Sequence, residues 1–347
     1  MSGAAAMGNV VAFGSSSLAG AGWTGATLPP RPALVRNLPP SAASLLRDLA
    51  GAAQRSGVAP WDLTRWHFNH PALAVFFGEL FAEVRDGRGF AIIGNIPVDL
   101  PLPTVKLLWW GIGTFFGRGQ SQSNLGDRIG EVLDVTDSDP GARGYRSRKE
   151  LHLHTDICDM IALLAVRQAR SGGETSLASA HAVHALLRAR HPDLLARLEQ
   201  GYHYHRRGEE APTEAPITPH KVPVFSRAEG VLSLRFVRPY MEQALRADGR
   251  SDPDLIAAFD ALEATAEEVK TTFMLQPGEA VVVNNLTTLH ARAAFEDWPE
   301  PARKRLLLRL WLNATGFRPQ RLELNVYGSG DGIPFVAGRT SSWVGWS

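Results

Sequence analysis

The chain has 347 residues, enough to bury a large core, and length alone leaves one or two domains open. Its 36 basic and 35 acidic residues nearly cancel, so no broad positive field gathers phosphate backbones or anionic lipid, and neither nucleic acid nor a membrane is expected as a partner. Hydrophobic residues at 44% and charged residues at 20% are the balance of a soluble globular enzyme, and the lone Cys158 excludes an intrachain disulfide framework. With no stretch of ~20 apolar residues and no basic n-region at the start, a cytoplasmic location is expected.

Residues 1–38 are rich in Gly, Ala, Ser and Pro with hardly any periodicity, which predicts a disordered tail. Residues 39–347 read as a single domain. From Pro40 the spacing of Leu45, Leu46 and Leu49 predicts a helix, and Pro71 through Phe76, Phe77, Leu80 and Phe81 to Gly87 predicts another. Gly89 to Gly94 reads as a buried strand, and Pro103 to Phe116 as a third helix. From Ile129 onward strands dominate: Glu131 to Val135, Leu151 to Thr155, Ile161 to Val166, Val231 to Phe236, Thr271 to Leu275, Ala280 to Val283 and Lys304 to Leu312. Helices over Ala180 to Glu199 and Asp252 to Val269 interrupt them. Many short strands with Gly/Pro turns imply a mainly β chain with flanking helices and a closed or double-layered antiparallel architecture. The polar, proline-rich stretch 205–225 is too long for a simple connector and reads as a lid.

In Leu151-His152-Leu153-His154-Thr155-Asp156 the strand period of two puts His152, His154 and Asp156 on one face. A half-exposed strand with polar residues outward would give the same pattern. Further along, His290 follows the apolar run Ala280 to Val283. Two imidazoles and a carboxylate are the set that holds non-haem Fe(II) on one face and leaves the opposite positions open.

Lys304-Arg305-Leu306-Leu307-Leu308-Arg309-Leu310-Trp311-Leu312 adds an independent signal. Period two gathers Arg305, Leu307, Arg309, Trp311 and Asn313 on one face, and a merely solvated face would not carry Leu307 and Trp311 between arginines. An inward arginine needs an anion, and its planar fork suits a carboxylate. In Gly172-Gly173-Glu174-Thr175 two glycines permit a tight turn before a threonine hydroxyl.

Taken together in order and spacing, His154-Thr155-Asp156, Gly172-Gly173-Glu174-Thr175, His290 and the Arg305/Arg309 pair resemble the TauD/TfdA (taurine dioxygenase-like, clavaminate synthase-like) Fe(II)/2-oxoglutarate oxygenases. The resemblance runs from roughly Gly89 to Asn313. It implies a double-stranded β-helix (a cupin-like jelly roll), with Fe(II), 2-oxoglutarate and O2 as the reacting partners. By the same resemblance, His154, Asp156 and His290 would ligate the metal, and Arg305 with Thr175 would hold the distal carboxylate of 2-oxoglutarate. Arg309 would face the metal-proximal or substrate carboxylate region. Glu174 stands where relatives commonly carry Asp. Asp156 argues against the halogenases, which replace the ligand carboxylate with a small residue.

The implied reaction is oxidation, foremost hydroxylation, of an unactivated C–H of a small substrate, with 2-oxoglutarate decarboxylated to succinate; desaturation and ring formation stay open. Candidates for the substrate wall are His152, the loop containing Gln120 and Gln122, and Arg238, with Arg309 meeting an anionic group of an amino-acid-like or organic-acid substrate. Two readings of other classes are a metal-dependent hydrolase or isomerase on a cupin-like fold and a non-catalytic jelly-roll binding protein. Homo-oligomer formation is left open by the sequence.

Overall fold

The computed structural model describes residues 22–139, 143–328 and 330–338. Two sheets organise it. In the larger, six strands follow the hydrogen-bonded order Val35–Asn37, Phe90–Gly94, Ala280–Asn284, Met160–Arg167, Leu306–Asn313 and Arg118–Gly119, and a seventh, Gly130–Val132, also pairs with Leu306–Asn313. The smaller sheet has the order Thr271–Phe273, Thr175–Ser179, Thr288–Arg292 and Leu151–His154.

Ala280, Val281, Val282 and Val283 are fully buried, as expected of a strand covered on both faces, which is apolar throughout rather than alternating. Helices Pro71–Arg85 and Leu102–Gly113 pack on one side of this sheet, with Pro40–Ser56 beside Leu102–Gly113. In Pro40–Ser56 the buried Ala42, Leu46, Ala50 and Ala53 recur at helical spacing, and the helix ends at Gly57, whose φ of 70° suits glycine. Helices Ala180–Arg190 and Pro253–Val269 pack on the smaller sheet. A cavity between the sheets is lined by Ile161, Leu163, Leu307 and Arg309 from the larger and by His154, Thr175, His290 and Arg292 from the smaller.

Several expectations are corrected. Helices hold more of the described residues than strands do, so the chain is mixed α/β rather than mainly β. One unforeseen contributor is Arg238–Ala247, where Pro239 sits in the first turn, a place that tolerates proline because its missing N–H would be unpaired anyway. The single helix expected over Ala180 to Glu199 is two, Ala180–Arg190 and Pro192–Gln200, because Pro192 disfavours helical backbone at His191.

The expected tail is also too long. Residues 22–38 are built into the fold: Trp23 is buried, its indole donates to the Arg88 carbonyl at 2.7 Å, and Val35–Asn37 pairs in parallel with Phe90–Gly94. The composition of this segment hid the few large apolar residues, Trp23, Leu34 and Leu38, that anchor it. Residues 1–21 lie outside the described residues. No helix among the described residues is long and apolar enough to cross a membrane.

Candidate active site

His154 ends the strand Leu151–His154 and pairs directly with His290 on Thr288–Arg292, which brings the two rings to a centroid distance of 4.3 Å. Asp156 lies beyond the strand. Thr155 fixes that exit, because its N–H donates to the Phe236 carbonyl at 2.8 Å and its hydroxyl accepts from the Phe236 N–H at 3.0 Å. The Asp156 N–H then donates to Asn285 Oδ1 at 3.3 Å, and the Arg235 guanidinium donates to the Asp156 carbonyl. Ligand atoms of His154, Asp156 and His290 all lie within 4.8 Å of one another, the convergence that one ion needs.

Protonation suits a cation here. His290 is pushed down to about 3 by burial and by the neighbouring His154, so its imidazole is neutral and offers a lone pair. Burial raises the Asp156 carboxyl, but Arg309, His290, His154 and the Trp311 hydrogen bond outweigh it and hold the group at about 2. His154 Nδ1 lies 2.7 Å from the His152 carbonyl; if it donates there, Nε2 is left bare towards the carboxylate, 3.8 Å from Asp156 Oδ1.

Arg309 on the strand Leu306–Asn313 and Arg305, one residue before it, both line the cavity. Arg305 is 4% exposed, and no hydrogen-bond partner reaches its Nη1 among the described residues. Burial pushes it down to about 10, against Asp297. The turn expected at Gly172-Gly173 is present, both glycines at positive φ, and a side chain at Gly173 would meet Arg305 Nε at 3.0 Å. Thr175 follows on the same cavity wall. Arg309 donates from Nε to Gln122 Oε1 at 2.7 Å, lies 3.5 Å from Asp156 Oδ2 through Nη1, and sits over the rings of Tyr145 and Trp311, while its Nη2 has no partner among the described residues.

Of the expected substrate wall, Gln122 is buried and clamps Arg309 at both ends, since its amide N–H also donates to the Arg309 carbonyl at 3.0 Å. Gln120 is buried too, but its amide donates to the Arg118 carbonyl and it does not line the cavity. His152 is 79% exposed at its side chain and points away from the cavity. A bulge explains this: Arg292 pairs with Leu151 where an unbroken ladder from His290 and His154 would pair it with His152, so Leu151 and His154 share the cavity wall instead. Arg238 is likewise removed from the site, held by Glu242, Asp260 and Glu263.

Four residues escaped the sequence reading. Arg292, buried and pushed down to about 9 by burial and by Arg305, shares the His290 face at period two, a signal that was present. Tyr145 has the guanidinium carbon of Arg309 4.1 Å and that of Arg143 5.2 Å from its ring centre. Arg143 pairs with Glu209 at 3.2 Å, and Glu209 also accepts from the Tyr327 hydroxyl at 3.3 Å. Glu209 belongs to the 205–225 stretch, which folds back on itself through the bridges Tyr202–Val222 and His205–Ile217.

The profile described as "Taurine catabolism dioxygenase TauD, TfdA family" matches residues 54–311. The chain belongs to this family. It is a non-haem Fe(II)/2-oxoglutarate-dependent oxygenase, and the orphaned N–H groups of Arg305 and Arg292, with the three converging side chains that could hold a metal, fit those two partners. Proteins similar in sequence include FR-33289 synthase of Streptomyces rubellomurinus, 28% identical over 284 residues, covering 78% of this chain and 83% of that one. Another is the taurine hydroxylase-like protein SAT17 of Stachybotrys chartarum, 25% identical over 274 residues, covering 75% and 70%.

Among solved structures, an asparagine oxygenase in complex with Fe(II), 2S,3S-3-hydroxyasparagine and succinate aligns with TM-score 0.62 at 16% identity, over 87% of this chain and 99% of that one. The non-haem iron oxygenase OrfP with Fe and α-ketoglutaric acid aligns with TM-score 0.60 at 16% identity, over 81% and 93%.

Proposed function

We propose that His154, Asp156 and His290 ligate the Fe(II), that Arg305 with Thr175 and Arg292 receives the distal carboxylate of 2-oxoglutarate, and that the enzyme hydroxylates a C–H of a small substrate carrying a carboxylate or similar anion. The two sheets are then the halves of a double-stranded β-helix. One observation carries the reading: His154 and His290, which converge with Asp156, line the same cavity as two buried arginines with unpartnered N–H groups and a threonine hydroxyl. A hydrolase has no use for that second feature, and a plain binding protein has no use for the complete ligand set.

When bound, Fe(II) with 2-oxoglutarate and O2 supplies the oxidising power for C–H cleavage, with succinate as co-product. The chain's own part is placement and shielding. Leu151, Ile161, Leu163 and Leu307 give the cavity an apolar lining beside its arginines and histidines. Arg309, gripped by Gln122 and stacked on Tyr145, has a spare Nη2 for an anionic group of the substrate. The hydroxy-amino acids bound in the asparagine oxygenase and in OrfP support an amino-acid-like molecule.

The test is a screen for molecules that stimulate conversion of 2-oxoglutarate to succinate, using amino acids, other organic acids and their uncharged amides or esters. Stimulation by acids and not by their neutral analogues is the expected result. Equal stimulation by both would remove the anionic-substrate reading and leave the oxygenase intact.

A further inference from the structure

We infer that the Trp311 indole restricts Asp156 to one-oxygen coordination of the metal, which makes Trp311 a positioning residue. The inference rests on the reading of Asp156 as a ligand. Trp311 Nε1 donates to Asp156 Oδ2 at 2.7 Å, and Arg309 Nη1 lies 3.5 Å from the same oxygen. An indole N–H can only donate, so the interaction holds Oδ2 as a charged acceptor and occupies one of its lone pairs. Each oxygen faces one imidazole, Oδ1 at 3.8 Å from His154 Nε2 and Oδ2 at 3.9 Å from His290 Nε2, so the difference between them is that the hydrogen bonds among the described residues cover Oδ2 and leave Oδ1 uncovered.

Neither partner is free to swing away. Trp311 is 3% exposed, stands opposite Ile161 in the ladder between Leu306–Asn313 and Met160–Arg167, and carries the Arg309 guanidinium 5.1 Å from its ring centre. Asp156 is tied at its N–H by Asn285 and at its carbonyl by Arg235. The consequence is a count of positions. On a six-coordinate ion, two imidazoles and one carboxylate oxygen would fill three sites and a chelating 2-oxo acid two, which would leave one open. If Asp156 bound through both oxygens, that last position would close.

The test compares wild type with Trp311→Phe, which keeps the ring and removes the N–H, and with Trp311→His, which restores a ring N–H. Nitric oxide is added anaerobically to the Fe(II) protein with and without 2-oxoglutarate and followed by electron paramagnetic resonance. Without 2-oxoglutarate all three should bind it alike. With 2-oxoglutarate, binding to Trp311→Phe should weaken by about tenfold to a hundredfold, the scale of one hydrogen bond to a charged group, and Trp311→His should recover part of it.

Equal binding by wild type and Trp311→Phe in the presence of 2-oxoglutarate would overturn the inference. So would loss of the metal itself from a folded Trp311→Phe protein, since the indole would then be needed for binding at all rather than for binding through one oxygen. The ligand reading fails separately, if Asp156→Ala still holds Fe(II) as wild type does.

Discussion

Arg292 and Arg305 reach the same aromatic ring, their guanidinium carbons 4.9 and 5.0 Å from the centre of Phe295. Two buried cations beside one ring repel each other, which adds to burial in making Arg292 titrate low. An anion between them relieves that repulsion and the cost of burial together. Their hydrogen bonds differ, however. Arg292 donates to the carbonyls of Tyr145 and Lys149, which ties down the segment that carries Tyr145, whereas the Arg305 guanidinium donates only to the Gly173 carbonyl among the described residues.

Arg305→Leu should therefore raise the KM for 2-oxoglutarate by about tenfold to a hundredfold, the range for a charge-assisted hydrogen bond of 1.5–3 kcal/mol, with a much smaller change for the prime substrate. Arg292→Leu should raise both constants, because it also frees the segment under Arg309. Steady-state kinetics with each ligand varied in turn decide the matter. Equal weakening of both ligands in Arg305→Leu would make that residue structural.

Arg309 makes contacts that a lysine cannot copy: a fork shared between Gln122 and Asp156, and a flat face between Tyr145 and Trp311. Arg309→Lys and Arg309→Gln should both raise the KM of an anionic prime substrate by tenfold or more, on the same charge-assisted scale. Both should also consume 2-oxoglutarate without matching product. Normal substrate binding in both variants would exclude Arg309 from substrate recognition.

Much of this site was legible because period-two alternation is a strong local signal. It placed Arg305, Leu307 and Arg309 on the cavity wall and joined His154 to a strand. It misplaced His152 because a bulge adds one residue opposite Arg292, and a bulge leaves no mark in Leu151-His152-Leu153-His154. The same alternation, applied to His290, would have found Arg292. Arg143 and Glu209 could not be found that way, since their pairing joins two loops distant in sequence. Trp311 was placed facing inward, but its bond to Asp156 depends on how the chain leaves the strand at Thr155, which is set by Phe236 far along the chain.

Acid should destabilise the metal-free protein well above the range in which carboxylates titrate. His290 has a folded value near 3 against 6.5 for an unperturbed imidazole, and His181, lowered chiefly by burial, stands near 4. The unfolded chain takes up these protons first, so stability is fully present above about pH 6.5 and is lost as pH falls towards the folded values. Asp156 adds a loss of the same sign lower down, between 3.8 and about 2. Denaturant unfolding at a series of pH values should show this slope, and His290→Asn should flatten it. A flat profile from pH 7 to 5 would show that these imidazoles remain solvated.

Glu209 gives the 205–225 stretch a specific tie to the site. Its carboxylate is 2% exposed at the side chain and meets Arg143, which burial would discharge and Glu209 keeps charged, and Arg143 in turn donates to the Gln122 carbonyl. Through Gln122 the tie reaches Arg309. Removing one charge of a buried pair costs about 3–5 kcal/mol, because the other is left without its counter-ion. In Glu209→Gln the amide can still hydrogen-bond, so the loss should lie near the lower end, about 3 kcal/mol, and should fall mainly on the loop. Hydrogen exchange should then quicken across residues 205–225 while the strand Ala280–Asn284 stays protected, and the KM for the prime substrate should rise more than that for 2-oxoglutarate. Should exchange in the loop be unchanged, the Arg143–Glu209 pair does not hold it over the site.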